Sequence, residues 1–122
     1  MKFLGIDFGF KNIGLAIAEG SLAEPFGIVK NEKQIKRICE NLGIEKIVIG
    51  ISEEKMARKT RNFGEKLKRA TGLPVEYQDE TLTSEEAKKL MVKIGKPKKK
   101  RQKQADAIAA ALILQSYLDQ QR

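Results

Sequence analysis

Lys2-Phe-Leu-Gly-Ile-Asp7-Phe-Gly9-Phe-Lys11-Asn-Ile-Gly14 is the stretch on which the fold turns. Phe3 to Ile6 is a short apolar run that reads as a buried strand, with a carboxylate directly after it. Burying an unpaired carboxylate costs on the order of several kcal/mol. Asp7 therefore calls for a cation, for strong hydrogen bonds, or for a place at the strand's exposed end. Gly9 lets the backbone turn tightly or approach a ligand closely. Ile13, Leu15 and Ile17 alternate with small residues and predict a second strand that returns as a hairpin. Asp7 also has a plain reading as a turn opener. The acids elsewhere in the chain have to decide between the two.

Outward from the hairpin, Glu24-Pro-Phe-Gly-Ile-Val29 predicts a third, antiparallel strand at the sheet edge, where Pro25 interrupts no ladder. Asn31 and Gln34 resemble a capping box, and Ile35, Ile38, Cys39 and Leu42 form an apolar helical stripe that Gly43 ends. Ile47-Val-Ile-Gly-Ile51 is a continuous β-branched run, as expected of a central strand covered on both faces. A second helix turns Met56, Phe63, Leu67 and Ala70 inward and closes at Gly72. Leu73 to Gln78 reads as a strand ending on Asp79-Glu80. Thr83 and Glu86 then cap a helix whose inner face is Ala87, Leu90, Met91 and Ile94, stopped by Gly95 and Pro97. A last, strongly apolar helix is expected from about Lys103 to Leu118. Hairpin strands followed by strand–helix alternation predict an α/β fold: a five-stranded mixed sheet, antiparallel then parallel, flanked by helices.

The chain has 122 residues and 41% hydrophobic content, enough for one domain spanning 1–122 around a single core. No apolar run is long enough to span a membrane. The apolar stretch after Lys2 is too short for a signal peptide, because Asp7 interrupts it. These features predict a cytoplasmic protein. Cys39 is the lone cysteine, set among Ile35, Ile38 and Leu42, and reads as an inert buried thiol. The absence of histidine removes imidazole acid–base chemistry and leaves hard oxygen ligands as the metal chemistry available. A formal charge of +8 points to a polyanionic partner. Lys88 to Lys103 holds nine basic residues and no acid, which reads either as a solvated loop or as a phosphate-binding segment.

Asp7 and Glu80 each fall at the carboxyl end of a predicted strand, the edge at which open α/β sheets bind ligands. Asp106 shares a helical face with Ala110, Ile113 and Tyr117. Helix-dipole stabilisation, about 0.3–1 kcal/mol, would act equally well with Asp106 turned to water, so it does not explain a coreward acid. A cation bridging Asp7, Glu80 and Asp106 explains all three placements. Mg²⁺ suits such a site because it takes oxygen ligands and keeps several waters. Two such ions can activate a water and stabilise a leaving oxygen in phosphodiester hydrolysis.

Asp7-Phe-Gly9-Phe-Lys11-Asn-Ile-Gly14, Asp79-Glu80-Thr-Leu-Thr83-Ser84 and Asp106-Ala-Ile-Ala-Ala110, in this order, resemble the YqgF/RuvX family of ribonuclease H-like proteins. That family is described both as Holliday-junction resolvases and as nucleases that mature the 5′ end of pre-16S rRNA. The resemblance covers nearly the whole chain. It implies a ribonuclease H-like fold and a Mg²⁺- or Mn²⁺-dependent nuclease, with Asp7, Glu80 and Asp106 as catalytic metal ligands. It also implies that Lys11 holds a phosphate; Thr83 matches a family threonine but has its capping role as well. Two departures stand out: Thr81 replaces the family arginine of Asp-Glu-Arg-Leu-Thr-Thr, and Ser52 replaces a common proline. Losing the arginine removes a fork-shaped phosphate ligand, for which Arg58, Arg61 or Lys98-Lys99-Lys100-Arg101 are the candidate substitutes. Glu53 and Glu54 are alternative acids for the metal site.

The implied partner is structured RNA or branched DNA, bound by a monomer or a homodimer. A rival reading is a non-catalytic nucleic-acid-binding module of the same fold, against which the retention of all three acids argues. Asp-x-Gly followed by a hairpin also opens the sugar-kinase, actin and heat-shock ATPase fold, which needs two such domains and a longer chain. A membrane-surface role would need an unbroken basic amphipathic helix, and Gly95 and Pro97 interrupt the basic segment.

Overall fold

The computed structural model describes residues 1–9, 11–52, 56–79 and 98–121, the side chains of 98–104 set apart. The described elements are β1 (Lys2–Phe8), β2 (Ile13–Glu19), β3 (Ala23–Val29), α1 (Glu32–Leu42), β4 (Lys46–Ile51), α2 (Ala57–Thr71), β5 (Val75–Asp79) and α3 (Lys98–Gln120). The strands form one five-stranded sheet in the order β3-β2-β1-β4-β5. β1, β2 and β3 pair antiparallel, whereas β1, β4 and β5 run parallel. This is the mixed sheet that the hydrophobic pattern predicts. β3 is at an edge, where proline is tolerated, and Pro25 pairs with Ala16 at the point where the β2–β3 register shifts.

Side-chain alternation divides the core between the two sheet faces. Leu4, Ile6, Ile13, Leu15, Ile47 and Ile49 point to the side where Ile35 and Cys39 of α1 and Phe63 and Leu67 of α2 cover them. The opposite face is built of smaller residues, with Ala16, Ala18 and Val48 beneath Ala110, Ile113, Leu114 and Tyr117 of α3. Gly5 belongs to this face, and a Cβ there would lie 2.7 Å from the Leu114 Cβ. Large residues under α1 and α2, and small ones under α3, hold α3 nearer the sheet.

Local capping follows the sequence. The Asn31 side chain accepts from the Gln34 N–H (3.1 Å), and the Gln34 side chain accepts from the Lys30 N–H (2.7 Å). Gly43 takes the left-handed conformation (φ 68°) and its N–H donates to the Cys39 carbonyl. Cys39 is buried, and burial with the neighbouring Glu40 charge pushes its thiol up to about 11. It is the inert thiol expected.

Three expectations change. Ala70 is exposed rather than inward. β5 begins at Val75, after Pro74, rather than at Leu73. α3 starts at Lys98 rather than near Lys103, so Lys98-Lys99-Lys100-Arg101 are helical and not a loop. Lys and Arg are strong helix formers, and their charge alone does not make a segment irregular. The expected helix from Thr83 to Ile94 lies outside the described residues. Among the described residues no helix is long and apolar enough to cross a membrane.

At the amino edge of the parallel strands, Lys46, Glu76 and Tyr117 tie α3 to β4 and β5. The Lys46 ammonium is 2.9 Å from Glu76 and donates to the Tyr117 hydroxyl at 3.1 Å; that hydroxyl donates to Glu76. Glu76 is held below its ordinary carboxylate value, first by the Tyr117 hydrogen bond and then by Lys46. A lowered acid contributes stability above its unfolded value, and that contribution disappears as pH falls through the folded value. Because Glu76 is 46% exposed, the contribution is small. Glu76→Gln is expected to cost about 0.5–1 kcal/mol at neutral pH, with the difference from the parent closing on acidification. Urea melts of both proteins from neutral pH down to the acidic range check this.

Candidate active site

Asp7 is part of β1 itself rather than the residue after it. Alternation puts Phe3, Gly5 and Asp7 on the α3 face of the strand. Gly14 of β2 is paired directly with Asp7. A Cβ at Gly14 would collide with the backbone carbonyl of Asp106. The helix backbone therefore rests on the sheet at this glycine, as it does on Gly5 one turn further along at the Ala110 carbonyl, and Asp106 is delivered beside Asp7 across about a hundred residues of chain.

Asp106 is half-buried, and its helical face continues through Ala110, Ile113 and Tyr117, all buried. The coreward placement expected from the helical wheel is what the structure has. Burial raises the Asp106 carboxyl above the usual range, and the nearby Asp7 charge raises it further. Both causes disfavour the ionised form, and a divalent cation held between the two acids would offset both. The donors are hard carboxylate oxygens, one at a strand end and one on the helix packed over it, which fits Mg²⁺ or Mn²⁺. Among the described residues no third acid joins this pair.

β1, β4 and β5 are parallel, so Phe8, Ile51 and Asp79 end on the same sheet edge. Asp79 pairs with Ile51, which puts it on the α1/α2 face, opposite Asp7. Of the Asp79-Glu80 dipeptide, the first residue thus does not share the face of Asp7. Glu80 itself lies outside the described residues, as do Glu53, Glu54, Thr81 and Thr83. Ser52, just past β4, is half-buried.

The cations expected to meet phosphate are at the same edge. Lys11 is exposed in the β1–β2 turn. That turn is closed by the Gly9 N–H donating to the Asn12 carbonyl (3.2 Å) and braced by Lys30, whose ammonium donates to Asn12 Oδ1 (2.5 Å). Lys30 is a residue that sequence reasoning missed, because nothing in its neighbourhood marks a lysine at the end of an edge strand. Arg58 and Arg61 are exposed in the first turns of α2, which follows the carboxyl end of β4. The Arg61 guanidinium lies over the Tyr77 ring, 5.3 Å from its centroid. Phe8 stacks on Phe63 at 4.4 Å, fastening this part of α2 to the end of β1. α3 descends from Asp106 at Gly14 to Tyr117 at Lys46. Lys98 to Arg101 therefore precede Asp106 along the helix axis by roughly 8–12 Å.

The order β3-β2-β1-β4-β5, antiparallel then parallel, with helices on both faces is a ribonuclease H-like fold. The fowlpox virus resolvase, solved with Holliday junction DNA, superposes with a TM-score of 0.67 at 15% identity, covering 99% of each chain. Thermus thermophilus RuvC, solved with a Holliday junction substrate, gives 0.63 at 18% identity, covering 99% of this chain and 96% of that one. At sequence level the chain belongs to the RuvX family, described as Holliday junction resolvase, whose model matches residues 1–120. Relatives named as proposed pre-16S rRNA nucleases include one from Lactococcus lactis subsp. lactis, 36% identical over 97% of this chain and 94% of its own length. Another, from Caldanaerobacter subterraneus subsp. tengcongensis, is 35% identical over 100% of this chain and 99% of its own.

Two expectations follow from the geometry. Gly14→Ala should cost about 1–3 kcal/mol by overpacking and should displace Asp106. Gly27→Ala, in open space on the same sheet, should be nearly neutral; paired denaturation curves decide. The second concerns charge. A raised acid binds its proton more tightly folded than unfolded, so stability falls as pH climbs through the folded value and stays lower above it. In chelator, Asp106→Asn should therefore melt higher than the parent at neutral pH and converge with it in acid. Added Mg²⁺ should raise the parent's melting temperature and leave the variant's unchanged.

Proposed function

We propose that the chain is a metal-dependent nuclease that hydrolyses phosphodiester bonds in structured nucleic acid, acting as one ribonuclease H-like domain. The observation that carries this reading is the meeting of Asp7 and Asp106 at the carboxyl edge of the parallel strands, where burial leaves Asp106 reluctant to ionise. Glu80, the residue after β5, is proposed as the third ligand. Bound there, Mg²⁺ or Mn²⁺ would supply Lewis acidity toward the scissile phosphate and an attacking water of lowered pKa.

The remaining work belongs to the chain's own groups. Asp7 and Asp106 would hold the metal in register with the sheet edge, because one is fixed by the β1–β2 ladder and the other by α3 packing. Lys11, Arg58, Arg61 and the Lys98–Arg101 turn bind the phosphates flanking the cut. Arg61, aligned on Tyr77, replaces part of the planar donor lost at Thr81.

The names of the full-length relatives favour pre-16S rRNA as the substrate; the reaction proposed is maturation of its 5′ end, in the cytoplasm. The test is cleavage of a labelled precursor rRNA fragment, a four-way DNA junction and single-stranded DNA, with Mg²⁺, with Mn²⁺ and with chelator. Precursor rRNA should be cut in metal and spared in chelator. Asp7→Asn should lose about a hundredfold or more in rate, the equivalent of the several kcal/mol a metal site supplies. Preference for the junction would move the assignment to resolution, and binding without cutting by either protein would remove the catalytic reading.

A further inference from the structure

The two helical layers differ in how their charge is placed. α2 has six basic residues, Arg58, Lys59, Arg61, Lys66, Lys68 and Arg69, against the single acid Glu65, and all six are exposed. On the other face, α3 and its last turn, from Gln104 to Gln121, hold Asp106 and Asp119 and no basic residue.

Topology orients the basic face. β4 and β5 are parallel, so α2 must run from the carboxyl edge back to the amino edge between them. Arg58 stands at the catalytic edge, and Arg69 lies eleven residues further, roughly 16 Å down the axis. At 100° per residue, Arg58 and Arg69 share the outward centre line, Lys66 flanks it on one side, and Arg61 and Lys68 flank it on the other. The buried stripe of Thr60, Phe63, Gly64 and Leu67 lies opposite. No ion pair among the described residues takes up the Arg58, Lys66, Lys68 or Arg69 side chain. A solvated helix surface usually interleaves both signs along its face; this one is nearly all one sign and begins at the cutting edge.

We propose that the outer face of α2 is a docking surface for the phosphate backbone of a double-stranded arm of the substrate. Lys66, Lys68 and Arg69 hold the part of the arm remote from the cut. The arm then leaves the site across the α1/α2 layer and not over α3 beyond Gln104, which offers no cation. A duplex presents one charge per about 1.7 Å of axis, so a 16-Å basic face meets several phosphates at once. A single strand, free to bend away after the edge, has less reason to follow it. The inference rests on the nucleic-acid reading above and not on turnover.

The experiment is the salt dependence of binding, in chelator, of a labelled duplex-armed probe and of a single strand of the same sequence. Proteins compared are the parent, the triple variant Lys66→Gln/Lys68→Gln/Arg69→Gln, and a control with the same change in net charge on α3, Ser116→Glu/Gln120→Glu/Gln121→Glu. Thermal melts establish that both variants are folded. The triple variant should lower the slope of log affinity against log salt on the duplex by roughly 2–3, one counterion per lost contact. Its slope on the single strand should change by less than about one. The α3 control should keep the parent's slope. An unchanged duplex slope overturns the proposal; an equal loss in the α3 control overturns its location; an equal loss on the single strand overturns the duplex assignment. Failure of the parent to cut any substrate would leave these outcomes standing and remove only the nuclease reading.

Discussion

The contact of the Asp106 carbonyl with the bare Cα of Gly14 is the constraint from which the rest of the site follows. Gly14 is paired with Asp7, so wherever the helix touches this glycine, residue 106 is beside residue 7. Any side chain on Gly14 would lift α3 and separate the acids. The surrounding face serves the same end: Gly5, Ala16 and Ala18 give α3 a shallow bed, while Leu15, Ile6 and Ile49 fill the deeper space beneath α1 and α2. Uneven side-chain volume across one sheet thus becomes the position of one carboxylate.

That position opposes stability. Burial and the Asp7 charge both resist ionisation of Asp106, so the metal-free fold holds an unfavourable pair at its edge. The packing that compensates is further down the same helix, where Ala110, Ile113 and Leu114 are fully buried and Tyr117 reaches Lys46 and Glu76. α3 is held at its far end and along its length, and the acid near its upper end is carried in by that anchoring. Both acids are thus positioned by packing that needs no ligand, the preorganisation that the proposed hydrolytic centre would use.

Much of this was legible in the sequence, and the reason lies in which forces act locally. Strand periodicity placed β1, β2 and β4, and the Ala110, Ile113 and Tyr117 stripe placed Asp106 coreward, because both signals are repeats along a single element. Asp7 was expected after the strand and lies within it. An apolar run shows where burial is continuous, whereas pairing with Gly14 extends the ladder past it. The start of α3 was misplaced because consecutive lysines read as solvated, although helix formation tolerates them. Ala70 was expected inside on its apolar character, yet a small side chain is indifferent to exposure. The role of Gly14 and the brace from Lys30 to Asn12 were not legible, since each depends on a neighbour distant in the chain.

The chemistry also asks why a strongly basic chain should centre on acids. Two carboxylates repel a phosphodiester as much as they repel one another, so a bare acidic edge cannot hold a polyanion. At physiological ionic strength, fields fade over about 8 Å, so a distant excess of lysines does not compensate either. The cations that serve a nuclease must stand toward the acids' end of the sheet, and the fold puts three of them on that edge. The β1–β2 turn brings Lys11, and the start of α2 brings Arg58 and Arg61, to the same edge as Asp7. The acidic pair then needs only the small, local charge of a bound metal to change from a repulsive point into an attractive one, while the surrounding lysines and arginines work on the phosphates to either side. On the proposed reading, basic surroundings would gather the substrate, and the acids, through their ligand, would select the bond.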